Sequence, residues 1–288
     1  MEIYYLAGDN PRKPFWESKC GHNDIGRFAG GGGLHVCCEL TVFNNPRVTV
    51  TAIVIKDNKV LVVKRAQEPQ KGEWDFIGGF AHGTEQPIDA LKREVKEELG
   101  VTCDALEIGT FPGTYTWKGQ TYPILSHSYL VELGGPPILN EENSEYEYKD
   151  IKTLDKVAFD SNNDILAYLK QNFVWDLARV QELLTQLDPT ARLNEQYLYK
   201  AALNGGISKV FDGPHLIGFG CIFPRQTFLR KQAVIEDMII DQEYRGKGYG
   251  RLILKDLISW ARLNKCDTIE LTTNPKRIAA NELYKSEG

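Results

Sequence analysis

Two β-branched runs, Val48–Ile55 and Lys59–Lys64, flank Asp57 and Asn58, a spacing that predicts a hairpin. Further strands are expected near 105–111, 121–132 and 146–152. Ile88, Leu91, Val95 and Leu99 recur at helical spacing and predict a helix from Glu85 to Leu99 that docks this stripe on the sheet. Thr84 is its expected N-cap, Pro87 is tolerated in the first turn, and Gly100 ends it. A second helix is expected over 161–171. Strands and helices in this order imply a mixed sheet with helices on its faces, an α/β fold.

The rhythm changes near Phe173. Helical pattern covers Asp176–Leu187 and about 194–203, and strands at 207–211 and 216–223 flank an Asp212, Gly213, Pro214 turn. A longer strand is expected over 233–240, then a helix from Tyr249 to Asn264, a strand over Asp267–Leu271 and a helix from Arg277. No internal repeat is visible, and the join near 172–176 is short. At roughly 150 residues per domain, two domains are expected.

Composition narrows the function. The 288 residues carry 34 Lys+Arg against 39 Asp+Glu, with 42% apolar and 10% aromatic residues, which excludes wholesale disorder. Residues 1–172 hold 18 basic and 25 acidic side chains, a balance of −7, which suits a site that gathers cations. Residues 173–288 hold 16 and 14, a balance of +2, too nearly neutral for broad nucleic-acid binding. No apolar run approaches the roughly 18 residues of a membrane helix, and the first residues do not read as a signal peptide. Six Cys over this length suggest a reducing, cytoplasmic setting.

Chemistry concentrates on the first helix. Glu94, Glu97 and Glu98 fall within an arc of about 100° on one face. Such carboxylates repel one another by roughly 0.2–0.5 kcal/mol per exposed pair. They either form a solvated face or hold a hard divalent cation, which takes oxygen ligands. The segment from Gly79 to Val101 reads G-x5-E-x7-R-E-V-x-E-E-x-G-V, and in full length it resembles the signature of the Nudix hydrolases. Residues 61–80 and 157–172 look like that family's flanking strand, loop and C-terminal helix.

The resemblance implies a Nudix α/β/α sandwich over 45–172 that cleaves a nucleoside diphosphate linked to another group, using Mg²⁺ or Mn²⁺. Carried over, Glu94, Glu97 and Glu98 hold the metal, Arg93 orients Glu94, Gly79 offers its carbonyl and Glu85 supports the helix start. Ile77 stands where members usually have Pro, and Thr84 where they usually have Gly, which bears on loop shape. Glu145 and Glu147 are both candidates for a further acidic residue. Tyr115, Trp117 and Tyr122 are candidates to stack on a base or to pack in the sheet, and Lys64 and Arg65 to meet phosphates. ADP-ribose and dinucleotide pyrophosphates are the expected substrates.

Residues 1–44 form a Cys/His-containing extension. Cys20, His22, Cys37 and Cys38 suit Zn²⁺ in type, and some Nudix proteins carry a zinc ribbon in this place. Two C-x2-C knuckles are lacking, so a degenerate ribbon without metal stands beside the zinc reading.

In the second half, a strand containing Glu236, Met238 and Ile240 runs into Arg245, Gly246, Lys247, Gly248, Tyr249 and Gly250. Glycines at a helix start turn several N–H groups on one anion, and a pyrophosphate is the natural guest. A Rossmann fingerprint would need Gly where Arg251 stands. The spacing R-x-x-G-x-G instead resembles the acetyl-CoA loop of the GNAT acetyltransferases, joined by Asn274 and the helix through Tyr284. This resemblance implies a GNAT-like α/β domain over 173–288. The amides of Arg245–Gly250 would take the pyrophosphate of acetyl-CoA, and Met238–Ile240 the pantetheine arm. Tyr284 would protonate the departing thiolate, and Glu236 would act as base toward an unknown amine. Their plainer readings are a packed helix aromatic and a solvent-facing carboxylate. The family continues with another strand after this helix. Either the sequence is cut short, another chain supplies the edge (as in a homodimer), or transfer has been lost.

The expectation is therefore a bifunctional Nudix hydrolase and N-acetyltransferase. Its rival is a nucleotide-sensing Nudix domain, without turnover, that regulates the transferase.

Overall fold

The computed structural model describes residues 45–287. The expected Cys/His extension, with Cys20, His22, Cys37 and Cys38, lies outside the described residues. In chain order the first elements are β1 (Arg47–Ile53), β2 (Ile55–Lys56), β3 (Lys59–Arg65), β4 (Trp74–Asp75), β5 (Ile77–Phe80) and α1 (Pro87–Leu99). Then come β6 (Cys103–Trp117), β7 (Gln120–Leu133), β8 (Asn143–Asp150) and α2 (Asp160–Asn172). The remainder is α3 (Leu177–Leu187), α4 (Glu195–Asn204), β9 (Gly206–Asp212), β10 (His215–Gln226), β11 (Lys231–Ile240), α5 (Tyr249–Leu263), β12 (Thr268–Leu271) and α6 (Ile278–Glu287). No helix among the described residues is long and apolar enough to cross a membrane.

By packing, the described chain divides into two compact units that do not follow chain order. One holds the chain up to Ile53, Val62–Tyr146 and Val157–Asp164. The other holds Val54–Leu61, Glu147–Lys156 and the chain from Ile165 onward.

In the first unit the sheet runs β5-β1-β7-β6. β1 is antiparallel to β5, with Val50 opposite Gly79, and parallel to β7, with Val50 opposite His127. The long β6–β7 pair is antiparallel from Cys103–Leu133 to Trp117–Gln120. α1 lays Ala90, Leu91, Val95 and Leu99 inward, all fully buried. At about 1.5–3 kcal/mol for each fully buried large apolar side chain, this face supplies most of the helix's adhesion. Gly100 ends α1 in the left-handed region, φ 70°, and its N–H donates to the Lys96 carbonyl, 3.1 Å away.

Two expectations need correction. Thr84 is not the N-cap of α1. Gln86 occupies that position without a side-chain cap, and Pro87 is the first helical residue. Proline pre-sets the helical φ and has no N–H to satisfy, so the start needs less capping than Thr84 would give. The expected hairpin is also much shorter. Only Ile55–Lys56 pairs with Lys59–Val60 across Asp57 and Asn58, which take φ 53° and 57°, the left-handed pair a two-residue turn requires. Arg47–Ile53 turns away, because a central strand needs partners on both edges and finds them in β5 and β7.

In the second unit the sheet runs β12-β11-β10-β9, antiparallel except for β11 with β12. Ile222, Ala233 and Ile235 on the sheet and Ile253, Leu254, Leu257 and Ala261 on α5 form its core. β11 bulges opposite Gly220: Phe219 faces Ile239 and Cys221 faces Glu236, leaving Asp237 and Met238 against one residue. Asp237 takes φ 49° there. Such a bulge re-aims the strand that follows.

Candidate active site and phosphate loop

The face of α1 that carries no apolar stripe is organised by one guanidinium. Arg93 Nε and Nη2 donate to the two oxygens of Glu85, each at 3.1 Å, and Nη2 also donates to the Phe80 carbonyl at 3.0 Å. Its Nη1 donates to Glu94 Oε1 at 2.8 Å and to Glu97 Oε2 at 3.0 Å. The Arg93 guanidinium, with the His82 N–H, holds the Glu85 carboxyl below the usual range. These charge-assisted bonds tie the loop before α1 to the second and third turns of the helix.

The three carboxylates predicted to share an arc meet three different environments. Glu97 is exposed. Glu94 is half-buried, and burial raises its pKa against the opposing pull of Arg93. Glu98 is buried, 6% exposed, and turns toward the sheet: Oε1 accepts from Gly78 N at 3.0 Å and Oε2 from Asn143 Nδ2 at 2.6 Å. Burial pushes its pKa up to about 8 despite both bonds. Gly79 faces Glu94 so closely that a methyl group there would lie 2.3 Å from Glu94 Oε1. A methyl at Gly78 would lie 2.0 Å from the Val50 carbonyl oxygen.

The donor set suits a hard cation, being all oxygen. Two carboxylates already converge on one positive nitrogen, Arg93 Nη1. Among the described residues, however, no three His, Cys, Asp or Glu side chains stand together as a ready metal cage. The residues fit as a pair, with Glu98 held back by its amide partners.

A buried polar cluster lies nearby in the same unit. Asp75 accepts from Asn162 Nδ2 at 2.6 Å, from Phe76 N at 2.9 Å and from Arg65 Nη1 at 3.3 Å. Burial carries its pKa to about 6 in spite of them. Thr51 Oγ1 reaches Ser126 Oγ at 2.8 Å and Asn162 Oδ1 at 3.4 Å. Tyr115 packs edge-on to Phe80 at 5.0 Å and against Phe159 at 5.7 Å, and Arg65 lies 5.1 Å over the Phe159 ring.

In the second unit, β11 ends in a 3-10 turn over Gln242–Tyr244 and a glycine loop that enters α5. Gly246 and Gly248 take φ 75° and 87°, and Gly248 is the N-cap of α5. Nothing lies within 4 Å of a methyl built on either, so their requirement is one of backbone conformation. Arg245 Nε donates to the Ile240 carbonyl at 2.9 Å. Tyr284 is half-buried, with its hydroxyl 4.0 Å from Met238 Sδ, and burial raises its pKa. Glu236 is exposed. Asn274 accepts from Lys276 N through its side chain, which shapes the turn before α6. Met238 and Ile240 pack against the core cluster.

The NUDIX domain family model matches residues 45–169. An ADP-ribose pyrophosphatase of Methanocaldococcus jannaschii is 30% identical over 132 residues, covering 45% of this chain and 76% of that protein. The chain belongs to the Nudix family. The Acetyltransferase (GNAT) family model matches residues 171–288, so a GNAT domain follows the Nudix domain. A CTP pyrophosphohydrolase of Escherichia coli is 45% identical over 53 residues, 18% of this chain and 39% of that one. A solved acetyltransferase of Trypanosoma brucei is similar to 39% of this chain over 84% of its own, with 23% identity and a TM-score of 0.34.

Within the Nudix domain, Ile77 is a buried strand residue, and Gly83, one position before Thr84, supplies the left-handed turn with φ 50°. Glu145 pairs with Lys64 and Glu147 with Lys149, each at 2.7 Å. The later acidic residue whose charge reaches Glu94 and Glu98 is Glu142, which sequence reasoning did not single out. Tyr115 joins the Phe80 and Phe159 rings. Tyr122 instead stacks under Arg47, at 4.1 Å, and Trp117 under Lys118, at 5.6 Å. Asn143 and Asn162 were also missed. Each bonds a buried carboxylate more than forty residues away in sequence, and a single chain offers no signal for such a pair.

Proposed function

We propose that the Nudix domain hydrolyses the diphosphate bridge of a nucleoside diphosphate linked to a second group, of ADP-ribose or dinucleotide type. We propose further that the GNAT domain transfers acetyl from acetyl-CoA to an amine. The observation that carries the first reading is the Arg93 hub: one buried-edge guanidinium holds Glu85, Glu94 and Glu97 in fixed relation beside the paired glycines 78 and 79. The relative from M. jannaschii supports ADP-ribose as the first substrate to try.

Glu94 and Glu97, with the Gly79 carbonyl, would hold Mg²⁺ or Mn²⁺, and Glu98 would join them on exchanging its amide partners for the ion. Such an ion neutralises the diphosphate and activates water for attack on phosphorus. Arg93 keeps Glu94 and Glu97 oriented. Glu98, which accepts from Gly78 and Asn143, is the buried carboxylate of the set, and a cation beside it would favour its charged form. Tyr115, beside Phe80 and Phe159, offers a face for a base. In the GNAT domain, the amides of Arg245–Gly250 receive the pyrophosphate, the Tyr284 hydroxyl protonates the departing thiolate, and Glu236 assists the amine.

Incubating the full chain with Mg²⁺ and ADP-ribose, then with dinucleotide pyrophosphates, should release AMP. Nucleotide binding with no product would replace catalysis by sensing. Release of free thiol from acetyl-CoA across an amine panel tests the second activity. Its absence, with acetyl-CoA bound, would leave a binding domain only.

A further inference from the structure

The glycine loop is rooted in a buried ion pair that the chemistry above does not use. Arg179, in the first turn of α3, is 5% exposed. Its Nε donates to the Leu216 carbonyl at 2.8 Å, Nη1 to Glu182 Oε2 at 2.7 Å, and Nη2 to the Asp241 carboxylate. Asp241, also 5% exposed, is the first residue after β11. Its N–H donates to the Ile217 carbonyl at 2.9 Å, which extends the ladder by one bond. Asp241 Oδ1 accepts from Glu243 N at 2.9 Å and so caps the 3-10 turn.

Gln186 lies two turns along α3 from Arg179. Its Oε1 accepts from Gln242 N at 2.9 Å, and its Nε2 reaches Asp241 Oδ2 at 3.4 Å. Tyr244 is held in turn by Asp212, whose Oδ2 accepts from its hydroxyl at 3.1 Å. Residues 241, 242 and 244 therefore each have a side-chain tether, whereas Gly246 and Gly248 beyond them rely on backbone conformation. A buried ion pair adds little net stability compared with apolar packing. What this pair does fix is direction, because a guanidinium fork and a carboxylate meet in only a few orientations.

We propose that Arg179 and Asp241, with Gln186, are positioning residues for the pyrophosphate loop, setting the path on which the chain leaves β11 so that the amides of 245–250 are aimed at an anion before it arrives. This rests on the reading that the loop takes the pyrophosphate of acetyl-CoA. Pre-aimed donors gain affinity because ordering them is not charged against binding.

The test uses the full chain with coenzyme A as probe, in Arg179→Met, Arg179→Lys and Gln186→Leu. Titration calorimetry should show coenzyme A weakened about tenfold or more by Arg179→Met, as expected for loss of a charged hydrogen-bond anchor. Arg179→Lys, which keeps the charge and loses the fork, should lose less. Gln186→Leu should weaken binding while leaving the buried pair in place. Hydrogen exchange without coenzyme A should show faster exchange over 242–250 in each variant, with the β10–β11 ladder unchanged. Folded variants that bind coenzyme A like the wild type, or that lose only thermal stability, overturn the proposal, and so does unaltered exchange in the loop. If Arg179→Met does not fold, the lysine and Gln186 variants decide the matter by the same criteria. A wild-type chain that binds no coenzyme A overturns the acetyl-CoA reading itself and this inference with it. Binding that no variant alters overturns the inference alone.

Discussion

Replacing Asp75 by Asn removes a buried charge while keeping an oxygen to accept from Asn162 and Phe76. Asp75 is 3% exposed, and burial lifts its pKa from 3.8 to about 6 against the bonds from Asn162, Arg65 and Phe76. An acid whose folded pKa is raised binds more protons folded than unfolded through this interval. Its contribution is fully present below pH 3.8 and is lost as pH rises through 6. At about 1.36 kcal/mol per unit, a rise of roughly two units corresponds to about 3 kcal/mol. The Asn side chain does not titrate, and its altered contact with Arg65 adds an offset that does not depend on pH through this residue. Urea unfolding of both proteins between pH 3 and 8 should therefore show the variant gaining about 3 kcal/mol on the wild type by pH 7, with the difference level above that. A difference that stays constant from pH 4 to 7, or that moves in the variant's disfavour as pH rises, would refute a neutral preference for this carboxyl.

Gly78→Ala and Gly79→Ala should fail differently. The first drives a methyl into the Val50 backbone carbonyl and should cost about 3 kcal/mol or more in unfolding free energy. The second meets only the end of the Glu94 side chain, so it should fold within about 1 kcal/mol of wild type yet lose hydrolysis. Arg93→Lys keeps the charge and loses the fork, and should lower hydrolysis about 10- to 100-fold in a protein that still folds but melts at a lower temperature. Gly248→Ala introduces a side chain at φ 87° in open space. It should cost about 1–2 kcal/mol of local backbone energy, read as weaker coenzyme A binding in calorimetry.

Much of this architecture was legible because local periodicity and turn chemistry agree with it. Leu91, Val95 and Leu99 set the inward face of α1, and Gly100 set its end. Gly213 and the Arg245–Gly250 run marked turns that need left-handed backbone. The failures came where a distant partner decides. The alternation in Val48–Ile53 says strand but cannot say which strands flank it, and the answer lies in β5 and β7. Thr84 has the right chemistry for a cap, yet Pro87, four residues after Gly83, settles where the helix begins. The site divides in the same way. Arg93 and its carboxylates sit within a few turns of one helix, so their spacing shows. The burial of Glu98 depends on Asn143, and the state of Asp75 on Asn162, contacts that only the folded chain creates.

The most direct measurement is Mg²⁺-dependent release of AMP from ADP-ribose by the full chain, compared with Glu97→Gln and Glu98→Gln variants shown to be folded. Turnover in the wild type and its loss in both variants is the expected result. Turnover that survives in both, or a wild type that binds ADP-ribose with Mg²⁺ and leaves it intact, would contradict the assignment of this helix face to phosphate chemistry.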